Sequence, residues 1–205
     1  MKRSASSRQW LQRHVNDPYV QRSRKEGYRS RAAYKLIEID DRDRFLAPGA
    51  VVVDLGAAPG GWAQVAVKRG GPKGRVVAID LLDMEPVPGA VFIRGDFSTP
   101  AGLGAVEAAL AGAKADVVLS DMAPNISGIA ITDQARSMAL AELARDFALA
   151  RLKPAGAFLV KVFQGDGYDE FLRSLRAGFA KVVVRKPDAS RGESTELYLL
   201  ARGLK

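Results

Sequence analysis

Short apolar runs recur along the chain from residue 51 onward, and most of them do not alternate between apolar and polar positions. Residues 51–55, 75–80, 91–94, 116–121, 157–163, 181–185 and 197–201 are each of strand length. Between several of them the apolar spacing becomes helical, notably over 62–69, 101–112, 132–152 and 168–178. Strands that are apolar on both faces and alternate with helices predict a parallel sheet covered by helices on both sides. The last two runs are joined by only a short connection, residues 186–196, which predicts an antiparallel hairpin. The expected fold is α/β, Rossmann-like, with seven mostly parallel strands and the last one antiparallel. Upstream, Asp17-Pro18 reads as a helix N-cap followed by proline at the first helical position. A second helix is expected over residues 30–45, with Ala33, Leu36, Ile37 and Ile39 on its apolar face and Pro48-Gly49 ending it.

At 205 residues the chain accommodates one domain of ordinary size, with a core that needs no covalent staples. The absence of cysteine removes disulfides, thiolate metal sites and a cysteine nucleophile together. With one histidine, His14, neither a histidine-based triad nor a histidine-ligated zinc site is expected. The first residues lack the apolar stretch of a secretory signal, and no run approaches a membrane span. The expectation is a cytoplasmic protein with no membrane contact.

The charge is unevenly placed. Residues 1–35 hold ten basic side chains against two acidic ones, whereas the remaining 170 hold 21 of each sign, so the whole net +8 lies at the N-terminal end. Residues 1–29 are therefore read as a basic arm and 30–205 as the catalytic domain. Arg3, Arg8, Arg13, Arg22, Arg24, Lys25, Arg29 and Arg31 are the candidate contacts to an RNA backbone. Trp10, Tyr19, Tyr28 and Tyr34 are interleaved with them. They suit either stacking on exposed bases or packing against the domain.

The first strand leads into Gly56-Ala57-Ala58-Pro59-Gly60-Gly61-Trp62 and then a helix, the arrangement of a cofactor cradle. Position 58 is alanine, so the G-x-G-x-x-G pyrophosphate pattern fails, and no G-K-[ST] follows. An acid, Asp54, stands ahead of the glycines, which favours a ligand with a positive centre. S-adenosyl-L-methionine fits, with a sulfonium and an ammonium beside a carboxylate. Asp80 at the end of the second strand suits the ribose hydroxyls, and Asp96 after the third suits the adenine amino group. Each acid alone could be a turn cap; three at consecutive strand ends beside one glycine loop point to the cofactor. The candidate cofactor residues are thus Asp54, Gly56, Gly60, Gly61, Trp62, Asp80 and Asp96.

Absences narrow the chemistry further. Cytosine C5 methylation needs a cysteine, and the amino-methylating D/N-P-P-Y/F motif is replaced by Ser120-Asp121-Met122-Ala123-Pro124-Asn125. Lys161 sits inside the apolar run 158–163, an odd place for a charge. DLGAAPGGW at 54–62, SDMAPN at 120–125, LVKVFQG at 159–165, SRAAYKL at 30–36 and SRGESTELYLLA at 190–201 resemble the FtsJ/RrmJ-type ribosomal RNA 2′-O-ribose methyltransferases, over nearly the whole chain. The resemblance implies a methyltransferase-type sheet and S-adenosylmethionine-dependent methylation of a uridine 2′-OH in 23S rRNA, within the assembled large ribosomal subunit. It also implies a catalytic set of Lys161 as general base, Lys35, Asp121 and Glu196, with Asp121 also touching the cofactor. Glu193 lies nearby, but the family's acid precedes an aliphatic residue and a tyrosine, which selects Glu196. A monomer working without metal is expected. The alternatives are a relative acting on transfer RNA and a catalytically idle ribosome-assembly factor. The chemistry is consistent with the resemblance. A ribose hydroxyl must lose its proton as it attacks a sulfonium methyl, and a lysine accepts that proton only where its surroundings, such as a second lysine, disfavour the ammonium.

Overall fold

The computed structural model describes residues 16–192 and 194–205. In chain order the elements are α1 (Pro18–Glu26), α2 (Ala32–Asp43), β1 (Val51–Leu55), α3 (Gly61–Gly70), β2 (Arg75–Asp80), β3 (Ala90–Arg94), α4 (Pro100–Leu110), β4 (Ala115–Ser120), α5 (Ala130–Arg151), β5 (Leu152–Phe163), α6 (Tyr168–Gly178), β6 (Phe179–Arg185) and β7 (Glu196–Leu204). They form one seven-stranded sheet of order β3-β2-β1-β4-β5-β7-β6. Neighbours from β3 to β5 pair in parallel, and β7 runs antiparallel to both β5 and β6. This is the expected fold, with the reversed last strand placed inside the sheet next to β5.

Strand periodicity divides the core in two. Val53, Leu55, Val77, Ile79, Val118, Phe158 and Val160 pack with side chains of α4, α5 and α6 on one face. Val52, Val76, Ala78, Val117, Leu119 and Leu159 pack with α2 and α3 on the other. Both faces are covered, which is why the runs read as continuously apolar.

The predicted helix over 30–45 is Ala32–Asp43. Ala33, Leu36 and Ile39 are fully buried and Ile37 is partly buried. The β5 strand begins at Leu152, earlier than the apolar run at 157 suggests. The intervening Lys153, Pro154 and Ala155 are exposed, and the pairing to β4 shifts register there. Asp17 caps α1 as predicted, its Oδ1 accepting from the Tyr19 and Val20 amides.

The proposed boundary at 29/30 is crossed by many contacts. Val20 and Ser23 of α1 are buried, and the rings of Tyr19 and Tyr28 each lie 5.6 Å from that of the fully buried Tyr34. Gln64 of α3 accepts from the Arg29 amide and donates to the Gly27 carbonyl. These three tyrosines therefore pack on the domain; Trp10 lies outside the described residues. Among the described residues, no helix is long and apolar enough to cross a membrane.

Candidate active site

The C-terminal ends of β4 and β5, the start of β7 and the first turn of α2 converge at one edge of the sheet. Leu159 faces α2 and α3, so Lys161, two residues further along β5, faces the same way. Pairing with β7 sets Lys161 opposite Tyr198 and Phe163 opposite Glu196. Asp121 follows β4 directly, its amide held by the Leu55 carbonyl of β1. Lys35, one turn into α2, reaches down from above.

The four side chains form two ion pairs. Lys161 Nζ lies 3.1 Å from Asp121 Oδ1 and donates to the Asp121 carbonyl at 2.8 Å. Lys35 Nζ lies 2.6 Å from Glu196 Oε1. Only 9% of the Lys161 side chain is exposed, so this is a desolvated lysine and not one that snorkels to water. Burial pushes the Glu196 carboxyl upward, but the charge and hydrogen bond of Lys35, with help from Ser190 and Lys161, hold it below the usual carboxylate range. The structure thus brings together Lys35, Asp121, Lys161 and Glu196, while Glu193 lies outside the described residues.

Tyr198 sits at the middle of this group, and sequence reasoning assigned it no role. Its hydroxyl donates to Asp121 Oδ1 at 3.2 Å, and its ring lies 5.6 Å from the Lys35 ammonium. Burial, and next the negative charges of Asp121 and Glu196, push its pKa well above 10, so it remains a hydrogen-bond donor throughout the working range. The signal was the i, i+2 spacing from Glu196, which puts both on one face of β7. Tyr198→Phe keeps the ring and removes the bond. The expected result is a kcat lowered about tenfold with unchanged cofactor affinity and melting temperature within a few degrees, read by steady-state kinetics, calorimetry and thermal unfolding.

The glycine loop lies beside the lysines, between β1 and α3. Gly56 has φ +79°, and a β-carbon there would come within 2.7 Å of the Met122 side chain and 3.0 Å of its backbone. Gly60 has φ +103°, also a conformation that favours glycine. Asp54 lies beneath this loop, completely buried, and neither of its carboxylate oxygens has a well-formed hydrogen bond among the described residues. Burial, then the charges of Asp121 and Asp80, push its pKa up to about 8, with the Ala63 amide pulling the other way. An orphaned buried carboxylate beside a glycine cradle fits a cationic ligand group.

The other cofactor candidates have mixed surroundings. Asp80 accepts from the Ala58 amide at 2.9 Å and the Leu82 amide at 2.8 Å, so it shapes the loop as well as facing it. Asp96 accepts from the amide and hydroxyl of Ser98, which lowers its pKa. Gly61 lies against Ser30, where a β-carbon would meet the hydroxyl at 2.6 Å. The Trp62 indole is turned into the core, 3% exposed and donating to the Ala32 carbonyl at 2.8 Å. This residue can therefore meet a ligand only through its backbone, in the first turn of α3, where amides have no partner within the helix.

Of the basic candidates, Arg29 and Arg31 point inward. Arg29 donates to the carbonyls of Pro59, Glu85 and Pro86, bracing the glycine loop. Arg31 pairs with Asp17 at 2.5 Å and donates to the Ala189 carbonyl. Arg22, Arg24 and Lys25 are exposed on α1, with Arg22 paired to Glu26 one turn on. Arg3, Arg8 and Arg13 lie outside the described residues.

Comparison with known proteins shows the family to which the chain belongs. Residues 28–204 match the model of the FtsJ-like methyltransferase family. The chain is 60% identical, over the full length of both, to ribosomal RNA large subunit methyltransferase E of Azoarcus sp. (strain BH72). It is 57% identical to the protein of the same name from Marinobacter nauticus, over all of this chain and 99% of that one. Among solved structures, one described as a ribosomal RNA methyltransferase from Plasmodium falciparum superposes with a TM-score of 0.78 at 30% identity. That match covers 86% of this chain and 98% of the other.

Proposed function

The chain belongs to the FtsJ-like methyltransferase family, and on that premise we propose that it methylates the ribose 2′-OH of a uridine in the 23S rRNA of the large ribosomal subunit, with S-adenosylmethionine as donor. The observation that carries the reading is the pair of lysine–carboxylate contacts, Lys161–Asp121 and Lys35–Glu196, assembled beside a glycine cradle with an unpartnered buried acid. A catalytically idle assembly factor has no need of two desolvated lysines held in this way.

Asp54, the Gly56–Gly61 loop, Asp80, Asp96 and Asp121 hold the cofactor, which supplies a methyl group activated by a sulfonium centre. The neutral amine of Lys161 takes the proton of the ribose hydroxyl as that oxygen becomes the nucleophile. Asp121 grips the same nitrogen through its carboxylate and its carbonyl, so the amine is aimed before substrate arrives. Tyr198 steadies the Asp121 carboxylate. Lys35, anchored by Glu196, adds positive charge that stabilises the developing alkoxide.

The basic arm contacts the phosphate backbone through Arg22, Arg24 and Lys25 and, upstream, Arg3, Arg8 and Arg13. Removing residues 1–16 deletes four basic side chains but leaves α1 docked. The expected result is weaker binding to large subunits and a shallower salt dependence, by roughly 0.7 in log–log slope per lost phosphate contact. Removing 1–28 should lower the melting temperature as well, because Val20 and Ser23 are buried.

The substrate assignment is tested by offering labelled cofactor with purified large subunits, small subunits and transfer RNA from cells lacking the enzyme. Transfer confined to large subunits supports it; efficient transfer to transfer RNA overturns it.

A further inference from the structure

A pocket of about 600 Å³ lies at the C-terminal ends of β4 and β5, lined by residues that adjoin Asp121, Lys161 and Glu196 in the chain. Its walls continue from the catalytic positions. Ala123 and Pro124 follow Asp121, Phe163 and Gln164 follow Lys161, and Thr195 precedes Glu196. The lining is largely apolar, and its rim carries Ile126 and Ile131, which are 84% and 82% exposed. Such side chains on a polar surface mark a binding site. The rim is held in place. Asp133 accepts from the amide and hydroxyl of Ser127 and from the Gly128 amide, which ties the β4–α5 loop to the start of α5. Gln134 donates to the carbonyls of Phe163 and Asp166 and closes the floor between α5 and β5. Gln164 is exposed and lines the pocket, and its backbone amide donates to the Thr195 carbonyl.

We propose that this pocket receives the base of the nucleotide being methylated, with Pro124, Ile126, Ile131 and Phe163 against its faces and the Gln164 amide on its hydrogen-bonding edge. The inference rests on the function proposed above. The base is attached to C1′, the carbon next to the one that bears the reacting hydroxyl. Once that hydroxyl is at Lys161, the base must lie in the immediate surroundings of the amine. The pocket adjoins that position through Phe163, two residues beyond Lys161 on β5, and through Ala123 and Pro124, which follow Asp121. Its volume lies in the range of ligand sites, and its character, apolar faces plus an adaptable amide, is that used to hold an unstacked base. A uracil edge offers an N3–H donor beside carbonyl acceptors, and a glutamine amide can answer both at once.

The test uses large subunits from cells lacking the enzyme and three proteins: wild type, Ile126→Ser/Ile131→Ser and Gln164→Ala. All the substituted side chains are exposed or at the rim, and thermal unfolding checks that each variant is folded. Subunit affinity, cofactor affinity and the single-turnover rate at saturating enzyme are measured separately. If the pocket holds the target base, both variants should lower the single-turnover rate about tenfold. Subunit affinity should change less than threefold and cofactor affinity not at all. Unchanged single-turnover rates would overturn the proposal. If subunit affinity also fell, the rim would instead grip another part of the ribosome. A wild-type protein that transfers no methyl to these subunits would overturn the underlying function, a result distinct from both.

Discussion

Lys161→Arg is expected to bind cofactor as the wild type does and to lose methyl transfer by about three orders of magnitude, within the range by which a positioned general base accelerates a reaction. The substitution keeps the positive charge and the ion pair with Asp121, but a guanidinium does not give up its proton at any working pH. If the nitrogen must accept the ribose proton, retained charge is no remedy. The wild-type rate should also rise with pH along a limb of one proton, and the residual rate of the variant should not. Cofactor affinity by calorimetry, single-turnover rates and a pH–rate profile read the outcome. Near-normal turnover in the variant would mean that position 161 acts through charge alone.

The second large effect concerns Asp54. The folded protein keeps its proton up to a pH of about 8, whereas an unfolded chain releases it near 3.8. Between these values the unfolded state binds fewer protons, so this residue makes folding less favourable as pH rises from about 4 to about 8, by on the order of 5 kcal/mol across the whole interval. Glu196 is shifted the other way, and its contribution is lost only as pH falls below the ordinary carboxylate range. Asp54→Asn should therefore flatten the pH dependence of stability between pH 5 and 8, as seen in denaturant unfolding at several pH values; His14 and the remaining groups are common to both proteins. A cation held beside Asp54 stabilises the ionised form, so cofactor binding by the wild type should release protons near neutral pH. Calorimetry in buffers of different ionisation enthalpy should detect that release in the wild type and not in Asp54→Asn. An unchanged pH slope in the variant would show that Asp54 is ionised in the free protein.

Sequence legibility followed what each side chain had to satisfy. The β2 strand was readable, because a sheet buried on both faces demands an unbroken apolar run and residues 76–79, between Arg75 and Asp80, supply one. The start of β5 was hidden, because Pro154 and exposed neighbours break the pattern while the backbone continues to Leu152. The two lysines and two acids were legible through their motifs, but their pairing was not, since it depends on the register of β5 against β7. The same register exposes Tyr198. Charge counting finds Arg29 and Arg31 in a basic stretch but cannot tell that their guanidinium groups turn to carbonyls and to Asp17. The loop that Trp62 ends does not reveal that its indole is buried and donates to the Ala32 carbonyl of α2.

The central claim is the position of the transferred methyl group. Large subunits from cells lacking the enzyme, treated with wild-type protein and S-adenosylmethionine, should yield 23S rRNA in which one phosphodiester, on the 3′ side of a uridine, newly resists alkaline hydrolysis, as a blocked 2′-OH requires. The same treatment with Lys161→Arg should leave every phosphodiester cleavable. Methyl label recovered on a base, with the alkaline ladder unbroken, would contradict ribose methylation and with it the role given to Lys161.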